Sequence, residues 1–250
     1  MILPHILIFI LGLVFGSFVA ALTWRYPRQI SIAKGRSFCP NCKRQIAWYD
    51  NIPLLSFLFL GGKCRNCRKK ISFRYPLIEF STGLGFLIIF LNFSSYYFQF
   101  IYSLILFLIL ISILVIDLEG KIIPDLFVFC GIGLAFFYYI FVNGSSLFPN
   151  LFTGLAASVL LLIIHLVTKG RGMGLGDVKL AVLGGLIVGP RLFLVWLFLA
   201  FLTGAIVGSI LILGRKAGFK SQIAFGPFLV LAIPLALIYG EKILFWIHIS

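Results

Sequence analysis

Long apolar runs broken by short polar stretches organise this chain. Runs such as Leu104-Ile105-Leu106-Phe107-Leu108-Ile109-Leu110-Ile111 do not alternate apolar with polar positions, which argues against a transmembrane barrel and for helices apolar on every face. Eight segments approach the ~20 residues that cross a bilayer: about 6–24, 77–91, 98–116, 126–142, 151–167, 178–189, 192–213, and 227 to 239 or beyond. Residues 178–213 are too long for one crossing, and Gly189-Pro190-Arg191 is the natural break. Segment six is short, so Asp177 sits somewhat inside the membrane or the bilayer thins there. Asn92-Phe93-Ser94-Ser95 and Asn143-Gly144-Ser145-Ser146 are turn signals. The expected fold is an all-α polytopic membrane protein.

Composition agrees. The chain is 61% hydrophobic, with a mean hydropathy of +1.12, too apolar for an ordinary water-soluble globule. The net charge of +14 would suit nucleic acid, but its distribution points elsewhere. Residues 25–74 hold twelve Lys and Arg and a single acid, Asp50, in a short loop between apolar segments. The positive-inside rule puts that loop in the cytoplasm. Membrane lipids with anionic heads, not nucleic acid, are its expected electrostatic partner. Eight crossings also put Lys121, Lys169, Arg171, Lys179, Arg215, Lys216 and Lys220 on the loop's side, with only Arg191 and Lys242 opposite. Segment one lacks the preceding Lys or Arg of a signal peptide, so it reads as an uncleaved helix with its N-terminus outside.

Only 7 acids occur in 250 residues, and a carboxylate at the mouth of a membrane helix is costly and usually functional. Asp177 ends Gly172-Met173-Gly174-Leu175-Gly176-Asp177, and Asp117 closes segment three. Segments four and five form an out-and-back hairpin, which returns Asp177 to the face of Asp117 despite sixty intervening positions. Two carboxylates about 4 Å apart repel by roughly 4 kcal/mol at an effective dielectric of about 20. They then share one proton, so that one donates while the other accepts. The glycines remove bulk beside Asp177, permit positive φ angles and allow a substrate backbone to approach closely. A plainer reading makes this an inter-helix turn with Asp177 as a cap. Asp125, after Pro124, is either a cap of segment four or a rival partner for Asp177.

Cys39-Pro40-Asn41-Cys42 and Cys64-Arg65-Asn66-Cys67 are two C-x-x-C pairs separated by 21 residues, marginally beyond the usual ribbon spacing. Four thiolates suit a closed, structural zinc site. Disulfides are disfavoured in a reducing cytoplasm, and no βαβ pattern supports a redox pair. Cys130 reads as a buried apolar thiol, and His5, His165 and His248 suggest no metal triad. Glu79 follows Arg74-Tyr75-Pro76; it either pairs with a basic loop residue or contacts a cofactor. The expected organisation is a first helix (1–24), a four-cysteine zinc-ribbon-like loop domain (25–76) and a membrane domain (77–250).

These features together closely resemble the type IV prepilin peptidase family, the prepilin leader peptidases. The residues that carry the resemblance are Gly16-Ser17-Phe18 with Arg25 and Pro27, both C-x-x-C pairs, Asp50-Asn51-Ile52-Pro53, and Arg74-Tyr75-Pro76 with Glu79. Asp117 with Ile123-Pro124-Asp125, Gly174-Leu175-Gly176-Asp177-Val178-Lys179-Leu180, and Phe225-Gly226-Pro227-Phe228 complete it. The resemblance implies an aspartic protease of the GxGD class in the bacterial inner membrane, with Asp117 and Asp177 as its catalytic pair. It implies prepilin and pseudopilin substrates, from which a short basic leader is removed after a glycine at the cytoplasmic face. Many members also N-methylate the new amino terminus, with S-adenosylmethionine as donor, and the cysteine knuckles favour that bifunctional branch. The residues themselves leave open a small transporter whose acids bind a cation, and a zinc-ribbon scaffold without catalysis.

Overall fold

The computed structural model describes residues 2–31, 36–170, 172–214 and 224–246. Lys34, Arg171, Arg215, Lys216, Lys220 and His248 lie outside these residues. The described chain is helical, with two isolated β-bridges in the loop after the first helix. Its helices are α1 (Leu3–Arg25), the short α2 (Leu55–Phe59), α3 (Arg74–Phe93), α4 (Tyr97–Gly120), α5 (Asp125–Val142), α6 (Leu147–Val167), α7 (Leu175–Leu213) and α8 (Gly226–Trp246). All but α2 are long and apolar enough to cross a membrane, giving seven such helices. The chain divides into two compact units, Met1–Ser112 and Ile113–Ser250, within α4.

The difference between seven helices and eight expected segments lies in α7. Its 39 residues would reach about 58 Å at 1.5 Å per residue, nearly twice the hydrocarbon thickness of about 30 Å. It is broken at Gly189, whose φ of 75° and ψ of 175° are non-helical and open only to glycine. A Cβ on Gly184 would collide with the Trp196 ring. In a straight helix those residues stand about 18 Å apart along the axis, so the chain bends sharply between them. Pro190 lacks the N–H that would serve the Leu186 carbonyl four residues back. Asn150 of α6 replaces it, with Nδ2 donating to Leu186 O at 3.1 Å. The eight segments read from the sequence are therefore seven helices, one of them bent into two arms.

In the first unit, α1 and α3 meet through small residues. A Cβ on Gly12 would lie 2.8 Å from Gly83 Cα, and one on Gly16 would lie 2.7 Å from Glu79 Cα. Gly12 and Gly16 form a G-x-x-x-G face, which lets backbones approach where no water drives association. Arg74 ties the helix ends: Nη1 donates to Ala20 O at 2.8 Å and Nη2 to Thr23 Oγ1 at 2.6 Å. In the second unit, α7 packs against α5, α6 and α8. Gly154 of α6 and Gly185 of α7 touch backbone to backbone. Trp196, fully buried, donates from Nε1 to Leu229 O of α8 at 3.0 Å. These contacts hold α7 against α6 and α8.

Candidate active site and metal-binding loop

Asp117 sits in the last turn of α4 and Asp177 in the first turn of α7. They are 3% and 7% exposed and close enough to repel one another. The backbone N–H of Gly226, where α8 begins, faces both carboxyls. Asp177 Oδ2 also accepts from Gly174 N–H at 3.0 Å. Asp117 Oδ2 and Asp177 Oδ1 are buried with no hydrogen-bond partner among the described residues. Buried acceptors are rarely left so.

Three glycines make room for this arrangement. A Cβ on Gly226 would run into Asp117 Oδ2, and it would lie 2.9 Å from Ile123 Cδ1. One on Gly176 would lie 3.0 Å from Ile123 Cβ, and one on Gly172 would press on Thr168 Cγ2 at 3.0 Å. None of Gly172, Gly174 and Gly176 has a positive φ, so that part of the expectation is corrected; Gly172 and Gly176 make room for Thr168 and Ile123. The capping reading of Asp177 holds for one oxygen, since Gly174 N–H is an otherwise orphaned helix N-terminal donor. Its other oxygen, Oδ1, takes no part in that cap. Asp125 is drawn aside: Lys179 Nζ donates to both its oxygens at 2.8 Å on an exposed surface.

The four cysteines converge. Sγ atoms of Cys39, Cys42, Cys64 and Cys67 all lie within 4.8 Å of one another, and these residues could hold a metal ion. Metal–sulfur bonds of about 2.3 Å in a tetrahedron put sulfurs ~3.8 Å apart; Cys39 Sγ and Cys67 Sγ are 3.9 Å apart. The two knuckles are built alike. Lys43 N–H donates to Cys39 O at 2.9 Å and Arg68 N–H to Cys64 O at 3.0 Å, with Lys43 and Arg68 at φ 60° and 58°. The bridges Phe38–Gln45 and Lys63–Lys70 close each turn. The backbone N–H of Lys69 and the Asn41 amide bring the Cys67 thiol down to about 6, favouring the thiolate a metal needs. At Cys42 the Arg44 backbone N–H pulls the same way, but burial and the Cys39 and Cys67 thiols push it up to about 11. Cys130, expected to be buried, is exposed on α5.

Around the knuckles, Asp50 receives Arg65 in a two-point pair at 2.8 and 2.6 Å. That guanidinium holds the Asp50 carboxyl below the usual carboxylate range. Glu79 does not make the expected pair with a basic loop residue. Its Oε2 accepts from Leu54 N–H at 2.9 Å, and the Ser17 hydroxyl also donates to it. Leu54 has a φ of 59°, strained for a branched residue, and the Glu79 bond holds it there. Glu79 thus ties the loop between the knuckles to α3.

The family model described as Bacterial Peptidase A24 N-terminal domain matches residues 10–93, and the one described as Type IV leader peptidase family matches residues 104–209. A prepilin leader peptidase/N-methyltransferase of Bacillus subtilis is 31% identical over 245 residues, covering 95% of each chain. One of Pseudomonas aeruginosa is 31% identical over 265 residues, covering 94% of this chain and 90% of the relative. One of Vibrio cholerae is 34% identical over 213 residues, covering 79% and 84%. The chain belongs to the type IV leader peptidase family. It is a multi-pass protein of the inner membrane. No solved structure matches the chain.

Within this family member, the knuckles fall in the first matched range and both buried aspartates in the second. Gly226, which faces both aspartates, lies beyond either range. Four residues, Gly12, Gly16, Asn150 and His165, have packing or hydrogen-bonding roles that the sequence analysis did not assign. The G-x-x-x-G spacing of Gly12 and Gly16 was visible as a pattern. Asn150, one of few polar residues in an apolar helix, was a signal of a broken backbone nearby. His165, beside the glycine-rich turn, donates toward that turn.

Proposed function

We propose that this chain is a prepilin leader peptidase whose catalytic pair is Asp117 and Asp177, and that it also N-methylates the amino terminus it exposes. One observation carries the peptidase reading: two buried carboxylates face the same Gly226 N–H, and each keeps an oxygen without a hydrogen-bond partner among the described residues. Two acids so close hold one proton between them. The ionised partner takes a proton from water, whose oxygen attacks the scissile carbonyl carbon. The protonated partner passes its proton to the carbonyl oxygen, giving a neutral diol. The first acid then protonates the departing nitrogen, and the second recovers a proton as the C–N bond breaks. Water has been added across the peptide bond and the pair ends with the one proton it began with.

The names of the relatives supply prepilins as the substrate class and the methyl transfer; pseudopilins are proposed beside them from the resemblance in sequence. S-adenosylmethionine supplies an electrophilic methyl group for the new amine; no side chain of this protein is assigned to hold it. Zinc is the metal proposed for Cys39, Cys42, Cys64 and Cys67. A complete set of four thiolates leaves no open position, so the ion closes the loop and takes no part in chemistry. The loop lies in the cytoplasm and the N-terminus outside, as the one-sided basic charge supports. Functionally the chain divides into a first helix (1–24), the cysteine loop (25–76) and the peptidase (77–250).

Incubating the purified protein with a full-length prepilin and S-adenosylmethionine, and reading intact mass, tests both activities at once. Loss of the leader mass and gain of one methyl are expected. An unchanged prepilin mass would refute the proposal.

A further inference from the structure

His165 lies near the end of α6, eight residues before Met173. Its Nδ1 is 2.7 Å from Met173 O. A carbonyl oxygen only accepts, so Nδ1 carries the proton. The same peptide group ends in the N–H of Gly174, which donates to Asp177 Oδ2 at 3.0 Å. The C=O and N–H of a trans peptide point in opposite directions. One peptide plane is therefore held between an imidazole and a carboxylate and bonded to both. Hydrogen bonds in series polarise one another, so the donor at the carbonyl strengthens the donor facing Asp177.

The ring is itself fixed. Gly170 N–H donates to His165 O at 2.8 Å and Lys169 N–H to Leu166 O at 3.1 Å, with Lys169 at φ 51°. This is a Schellman closure of α6, with His165 as its anchoring residue. The Gly170 backbone lies against the ring, where a Cβ would be 3.2 Å from Cε1. Thr168 Oγ1 accepts from Gly172 N–H at 3.2 Å, which holds Gly172 against the end of α6.

We propose that His165 is a positioning residue for Asp177, acting through the Met173–Gly174 peptide without touching substrate. The inference rests on the reading of Asp177 as a catalytic acid. A ring that only fills space would be replaced without loss by phenylalanine. A ring needed for its N–H would be replaced by asparagine, whose side-chain amide puts an N–H where Nδ1 stands.

The test compares prepilin cleavage by the full chain with that of His165→Phe, His165→Asn and Asp177→Asn, each checked for its melting temperature. For His165→Phe, kcat is expected to fall about tenfold with KM unchanged, as for loss of a donor acting at one remove. His165→Asn should recover most of that loss. In glycine-labelled protein the Gly174 amide proton should shift upfield in the Phe variant and return in the Asn variant. Wild-type kcat in the Phe variant, or equal loss in both, would overturn the inference. If the Phe variant does not fold, His165→Ala with and without free imidazole takes its place, and absence of rescue counts against the inference. Full cleavage by Asp177→Asn would instead overturn the underlying reading of the aspartates.

Discussion

The cysteine knuckles of the first unit and the paired carboxylates of the second gather their reactive atoms by different means. Each knuckle is a single tight turn, closed by its own backbone bonds from Lys43 to Cys39 and from Arg68 to Cys64. The four thiols then need only two short turns to meet. Asp117 and Asp177 come from helices sixty positions apart, and their meeting depends on clearances made by Gly176 and Gly226 against Ile123 and Asp117. A local site tolerates change elsewhere in the chain. A site made by helix packing is exposed to substitutions far along the same helices, such as those at the bend of α7.

Five substitutions sharpen that contrast. Asp177→Asn removes one member of the pair and should lower cleavage by about a thousandfold, as for loss of a general acid or base, with bound metal unchanged. Gly226→Ala drives a methyl into Asp117 Oδ2 and should cost about a hundredfold in cleavage, the scale of a misplaced catalytic group. Cys64→Ser should release the metal and lower methylation about tenfold, while cleavage changes by no more than about twofold, because a removed ligand acts on its own site; elemental analysis and intact mass read both. If cleavage fell as far as methylation, the two regions would not be independent. Asn150→Ala leaves the Leu186 carbonyl at the bend without its donor and should lower stability by ~1–3 kcal/mol in thermal or denaturant unfolding. Lys179→Met breaks an exposed ion pair with Asp125 and should cost less than ~1 kcal/mol.

The membrane helices were legible in the sequence because apolar runs of bilayer length have few other uses. The break at Gly189 was legible too, through the residue that permits the angle and the proline that removes a donor. The four cysteines were legible by spacing, since each pair is a local turn. Asp125 was ambiguous because pairing with Lys179, fifty-four positions away, leaves no local mark. The role of Glu79 was not legible for the same reason: its partners are the Leu54 N–H and the Ser17 hydroxyl, brought near by the packing of α1 on α3. The glycines beside Asp177 were legible as removing bulk, but what that bulk would meet was not. Flexibility and close approach have the same sequence signature, and only the neighbours Ile123 and Thr168 distinguish them.

The central claim is that Asp117 and Asp177 act as one unit. A double-mutant comparison tests it directly: prepilin cleavage rates for Asp117→Asn, Asp177→Asn and the two combined, in folded protein. Groups that share one step lose their function together, so all three variants should fall to the same residual rate. A single variant that still removes the leader at a rate near wild type, or losses that multiply in the combined variant, would contradict it.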